Sequence, residues 1–114
     1  MAKDVSDRLA DSIQDAVAAA GHPQEVPVNM YEADAAYVVV APLPGVMEDA
    51  VRVRIDGDQL LIRADMPSPG IKAYLMHEWS YGPYERVVNV PSDCTGKFET
   101  SFGNGQLAIR LLKQ

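Results

Sequence analysis

Cysteine is almost absent from this chain of 114 residues: Cys94 stands alone, so no intramolecular disulfide can form and a reducing compartment is expected. Histidine is nearly as scarce, and neither His22 nor His77 has a partner at metal-ligand spacing. No apolar run approaches the roughly 18 residues of a membrane-spanning helix. The opening MAKDVSDRL is polar, and the segment before AVAAAG is too polar for a signal peptide, so a cytoplasmic location is expected. Positive charge is also in short supply. Ten basic residues face 16 acidic ones for a net charge of −6, which removes the bulk electrostatic reason for a nucleic-acid or anionic-membrane partner.

Catalytic patterns are missing as well. His77 sits in an alternating segment, where a hydrogen-bonded structural imidazole is the expected role. Cys94 lies in PSDCTG with no nucleophile motif around it. Asp56 and Asp58 in DGD lack the further oxygen ligands of a calcium loop, and GNG joins two strand patterns instead of opening a helix. Glu48 and Asp49 are adjacent, so their side chains diverge into solvent. Trp79, Tyr81 and Tyr84 could stack nucleobases, but with only Arg86 and His77 nearby they are better read as packing residues. No reaction, metal or cofactor is expected.

What is present divides into two periods. Over residues 4–20, Val5, Leu9, Ile13 and Val17 recur every fourth position, with Asp4, Asp7, Asp11 and Asp15 mostly between them. The spacing predicts a short amphipathic helix with Asp4 or Ser6 as N-cap and Gly21 at its stop. Its stripe is thin, so alone it would be marginal in water. GHPQEVP, residues 21–27, reads as a linker.

From Val28 the period becomes two. Val51, Val53 and Ile55 alternate with Arg52 and Arg54, and Leu60, Ile62 and Ala64 follow after a hairpin signal at Asp56-Gly57. Phe98, Thr100 and Phe102 then share one face, GNG turns the chain, and Leu107, Ile109 and Leu111 alternate with Ala108 and Arg110. AYLMHEWS and YERVVNV read as two strands separated by Tyr81-Gly82-Pro83. With VNMYE and AYVVVA, about eight short strands are expected, the pattern of an all-β sandwich or barrel at 27–114 behind a helical arm and linker at 1–26.

The run YVVVA ends abruptly in PLPGV. Two prolines there cannot donate to a ladder, and Gly45 permits a bend, so a stiff connector between sheets is expected. In order, the chain offers PVNMYE, the Tyr-Val strand, LPGV, an acidic turn into an alternating Val strand, L-x-I-R-A, Tyr74 and Glu78, G-P-Y-E-R, V-x-V-P, and N-G-x-L with a closing Lys113. This order resembles the α-crystallin domain of small heat-shock proteins, ATP-independent chaperones, over about Pro27 to Lys113. The resemblance implies an immunoglobulin-like sandwich in which Leu43-Pro44-Gly45-Val46 joins two strands. It places Tyr84 and Arg86 near a dimer interface and makes Pro44, Gly45, Gly105 and Leu107 structural motif residues. Tyr84 stands where phenylalanine is usual, Gln106 where a small hydrophobe is usual, and Leu112 where proline is usual.

The family's C-terminal Ile-x-Ile tail does not follow Lys113, and residues 64–73 look short for a strand exchanged between partners. A dimer or small homo-oligomer is expected from this. Ile109-Arg110-Leu111 has the tail motif's spelling but belongs to the last strand pattern, where core packing is expected. The resemblance further implies a holdase for partly unfolded proteins. Its candidate client surfaces are the Val5/Leu9/Ile13/Val17 stripe and an edge groove involving Val51, Val53, Phe98 and Phe102. The alternative is a non-catalytic interaction module of the same fold that binds one folded partner.

Overall fold

Alternating apolar residues build a sandwich only if each strand turns the same face inward, and here they do. The computed structural model describes residues 23–114. The helix expected over 4–20, with its Val5/Leu9/Ile13/Val17 stripe, lies outside the described residues. Eight strands follow one another: β1 Gln24–Glu25, β2 Asn29–Glu32, β3 Ala36–Pro42, β4 Val51–Asp56, β5 Gln59–Ala64, β6 Tyr84–Asn89, β7 Cys94–Gly103 and β8 Gln106–Lys113. They form two four-stranded sheets, one in the order β1-β6-β5-β4 and the other β2-β3-β8-β7. All pairs are antiparallel except the two-residue pairing of β1 with β6.

The core lies between the sheets. Leu60, Ile62 and Ala64 of β5, Val39 and Ala41 of β3, and Ile109 and Leu111 of β8 are fully buried. Burying one such aliphatic side chain stabilises by about 1.5–3 kcal/mol. Ile109 and Leu111 are therefore core residues, as their place in the strand pattern predicts.

Turn chemistry sets the registers. Asn104 (φ 52°) and Gly105 (φ 73°) are the central residues between β7 and β8, both with the positive φ that a type I′ hairpin demands. The β4–β5 hairpin is centred one residue later than expected: Asp56 pairs with Gln59, so the central residues are Gly57 and Asp58. Gly57 has φ 62° and Asp58 does not take positive φ, which fits glycine at the first central position of a tight hairpin.

Two further expectations are corrected. Residues 21–27 are not all linker: Gln24–Glu25 forms β1 beside β6, and Val26 is 1% exposed within the core. The backbone there is held by Gln24 N–H donating to Pro83 O (2.8 Å) and Val26 N–H to Glu85 O (3.3 Å). AYLMHEWS forms no strand; residues 65–83 contain no regular element. It pairs with none of the strands of its own chain, and Leu75 and Met76 point into solvent at 85% and 76% exposure. The segment instead packs on itself, with Tyr74 stacked on His77 (centroids 4.4 Å) and Trp79 tilted against Tyr81 (4.7 Å). His77 Nε2 lies 3.5 Å from Ser80 Oγ, in hydrogen-bonding contact but off any strand.

Candidate functional site

The connector after β3 positions one side of the sandwich. Leu43 is fully buried and donates its N–H to Gly105 O (2.7 Å), which pins the end of β3 to the β7–β8 turn. Val46 N–H returns to Leu43 O (3.2 Å), and Gly45 takes φ 81°. A Cβ at Gly45 would meet Met66 Sδ at 2.5 Å, so this position requires glycine both for its backbone and for space. Tyr84 Oη donates to Pro44 O (3.3 Å), and burial pushes the Tyr84 phenol above its usual range. The path then crosses from one sheet to the other through a single 3-10 turn, Glu48–Ala50, and enters β4. Pro44, Gly45, Gly105 and Leu107 thus lie at one end of the sandwich.

β4 and β7 are the outermost strands of their sheets on this side. Between them runs a groove of about 270 Å³ lined by Val51 and Val53 of β4, Phe98, Thr100 and Phe102 of β7, Leu107 and Glu48. The four residues expected from the sequence are all there, half-buried against the core. Alternation explains the lining: Val51, Val53 and Ile55 turn inward while Arg52, Arg54 and Asp56 turn out. β7 carries a register irregularity between Cys94 and Phe98, where Gly96 adopts φ 88°; beyond it Phe98 pairs with Leu111 and Phe102 with Leu107. The uninterrupted pairing from the Asn104-Gly105 turn to Phe98 sets the phase that aims both phenylalanines at the groove. A strand edge with free backbone groups beside a groove of mixed lining can take an extended segment by hydrogen bonding its backbone and seating alternate side chains.

On the opposite side the chain covers β6 itself, while β2 remains an outer strand. Arg86 points inward from β6 and donates to Val26 O (3.2 Å) while pairing with Glu25 (3.2 Å). Gln24 Nε2 adds a bond to Ser80 O (3.0 Å). Among the described residues of this chain, Arg86 thus pairs with Glu25 of its own β1. Composition gave no sign of this, because a two-residue parallel pairing leaves no periodicity to read.

Near the end of β8 a polar cluster ties both chain ends of one sheet together. Lys113 Nζ pairs with Glu32 (2.8 Å), donates to Ala33 O (2.9 Å) and lies 5.0 Å above the Tyr37 ring. Tyr37 Oη donates to Asp93 Oδ2 (3.2 Å); that hydrogen bond first, then desolvation and the carboxylate's charge, push the phenol up to about 12. Burial pushes the adjacent Cys94 thiol up, Asp93 adds to this, and Lys113 opposes it. A thiol shifted this way is a poorer nucleophile at neutral pH. Among the described residues no group of three or more His, Cys, Asp or Glu side chains is placed to hold a metal ion.

Comparison with known proteins places this architecture. The family model described as "Hsp20/alpha crystallin family" matches residues 29–114. The structure of hspA from Xanthomonas axonopodis is similar at 26% identity and a TM-score of 0.71, covering 79% of this chain and 94% of that one. A small heat shock protein from Synechococcus phage S-ShM2 is also 26% identical, with a TM-score of 0.59 over 82% of this chain and 88% of that one. A small heat-shock protein from Xylella fastidiosa shares the fold at 22% identity and a TM-score of 0.69, over 78% and 85% of the two chains. No curated protein matches.

Proposed function

This chain belongs to the Hsp20/alpha crystallin family, a family of chaperones and not of enzymes, and from that membership we propose that it is an ATP-independent holdase. The carrying observation is the β4/β7 groove. A holdase needs no catalytic group; it needs apolar surface that a partly unfolded client can reach, on a scaffold that stays dispersed itself. Val51, Val53, Phe98 and Phe102 supply the apolar surface, and the outer edges of β4 and β7 supply backbone donors and acceptors for an extended client segment. The net charge of −6 keeps the loaded complex soluble. The Val5/Leu9/Ile13/Val17 stripe is a second client surface in this reading.

The working unit is a homodimer or small homo-oligomer in the cytoplasm. Supporting it, β2 is an exposed outer strand whose Met30 and Tyr31 are 37% and 57% exposed, and Trp79 and Ile71 on the 65–83 segment are 63% and 57% exposed. A solution mass corresponding to a dozen or more subunits would overturn this assembly.

Light scattering of two unrelated clients, one unfolded by heat and one by reductant, tests the function in the absence of nucleotide. Suppression of both at near-stoichiometric ratio is expected. Suppression of neither by a folded sample would overturn the holdase reading in favour of a module that binds one folded partner.

A further inference from the structure

The β4/β7 groove has one ionisable side chain in its lining, and it is acidic. Val51, Val53, Phe98, Phe102 and Leu107 are apolar and Thr100 is a neutral hydroxyl, which leaves Glu48 as the groove's charge. Glu48 opens the single 3-10 turn that leads into β4, so it stands where the connector meets the groove. The backbone there is tied down twice: Ala50 N–H donates to Met47 O (2.9 Å), and Val51 N–H donates to Glu48 O. Arg52, turned out from β4, braces the same turn by donating Nη1 to Asp49 O (2.7 Å) and Val51 O (3.1 Å). The Glu48 side chain is exposed and makes no ion pair or hydrogen bond with another of the described residues.

A groove of this composition favours one kind of extended segment. Its flanking strand edges offer backbone donors and acceptors, and its valines and phenylalanines seat alternate apolar side chains. A lysine or arginine two residues beyond those apolar side chains lies on the same face of the segment, and docking brings it to the Glu48 carboxylate. An aspartate or glutamate in that place meets like charge, and the net charge of −6 adds to the penalty. Apolar stretches prone to aggregate are commonly flanked by charged gatekeeper residues, so the sign of that charge differs from one client segment to another. An exposed ion pair changes affinity by about twofold to fivefold, enough to rank clients without deciding binding alone.

We propose that Glu48 is a specificity-determining residue, through which the groove takes apolar client segments flanked by lysine or arginine in preference to segments flanked by acidic residues. This rests on the groove being the client surface and adds to it the class of segment captured.

Three capped peptides of alternating valine and serine test it on the full chain. They are identical except that lysine, glutamine or glutamate continues the valine face at both ends, which makes the result independent of the direction in which a peptide lies. Backbone amide shifts at residues 51–53 and 98–102 report both the site and the affinity, into the millimolar range. The lysine peptide is expected to bind about twofold to fivefold more tightly than the glutamine peptide, and the glutamate peptide more weakly than either. The ranking is expected to collapse in Glu48→Gln and to persist in Asp34→Asn, an equal charge change on the exposed turn between β2 and β3, at the far edge of its sheet from β7. It is also expected to vanish at about 1 M salt, where the Debye length falls to about 3 Å. Glutamine-peptide shifts at those residues with no preference for lysine, or a preference that Glu48→Gln leaves intact, would overturn the proposal while the groove kept its client role. Shifts there from none of the three peptides would overturn the groove as a client surface, and the proposal with it.

Discussion

The two sides of the sandwich solve the same problem in opposite ways. Each ends in strands with one row of backbone groups unpaired by the sheet. At β6 the chain supplies its own cover, although β2 of the facing sheet stays an outer strand: β1 pairs with β6, Val26 plugs the core, and Arg86 clamps Glu25 and the Val26 carbonyl. On the β4/β7 side two outer strands flank a groove lined by Val51, Val53, Phe98 and Phe102, with no strand over either edge among the described residues. Covering an edge by a short in-chain strand removes an aggregation hazard. An edge left open beside a groove can take an extended segment. On the proposed function, client capture belongs to the side that local folding leaves unfinished.

That contrast can be broken most forcefully at the groove. Val53→Asp with Phe98→Asp puts two carboxylates where an apolar client segment would sit. Client affinity is expected to fall at least about tenfold, equivalent to about 1.4 kcal/mol, with the circular dichroism spectrum retained; isothermal titration with a reduced, unfolded client reads it. Unchanged affinity in the folded double variant would remove the groove from the mechanism.

Gly45→Ala acts on the connector that feeds β4. Positive φ and the approach of Met66 Sδ make it cost about 1–3 kcal/mol in urea unfolding. A loss below a few tenths would show that the connector yields more readily than its geometry implies.

Val26→Ala sharpens the contrast from the closed side. It removes buried methyl groups and is expected to lower stability by about 1–2 kcal/mol while leaving client affinity unchanged at temperatures where the variant is folded. Stability loss on one side and affinity loss on the other would establish the division of labour.

The smallest effect concerns alkaline pH. Tyr37 titrates at about 12 in the folded chain against 10.0 for an unperturbed phenol, so the folded state holds the proton more tightly. The stabilisation is complete below pH 10 and is lost as pH rises towards 12. Tyr37→Phe is expected to show a shallower fall in melting temperature across that window than the parent chain. Parallel curves would remove the Asp93 bond from the stability of that sheet.

Legibility in the sequence followed the same contrast. The hairpins were readable because Asn104-Gly105 needs positive φ and because Val51, Val53, Leu60 and Ile62 alternate; a slip of one residue at Gly57-Asp58 was the only error there. The groove lining was readable too, since inward alternation and motif order together place Val53 and Phe98. β1 was not readable, because two residues in parallel pairing carry no period. AYLMHEWS misled for the opposite reason: it has strand-like composition but pairs with no strand of its own chain, and Leu75 and Met76 face water. Glu48 was not readable as a groove residue, because a single 3-10 turn carries no period that shows which way it faces.

The most direct test compares the two sides in one experiment, by amide hydrogen exchange of the full chain with and without a bound, unfolded client. The account predicts added protection at residues 51–55 and 98–102 on client binding, with exchange at residues 24–26 unchanged. Protection confined to the β1 side, or none at β4 and β7 while the client is bound, would contradict it.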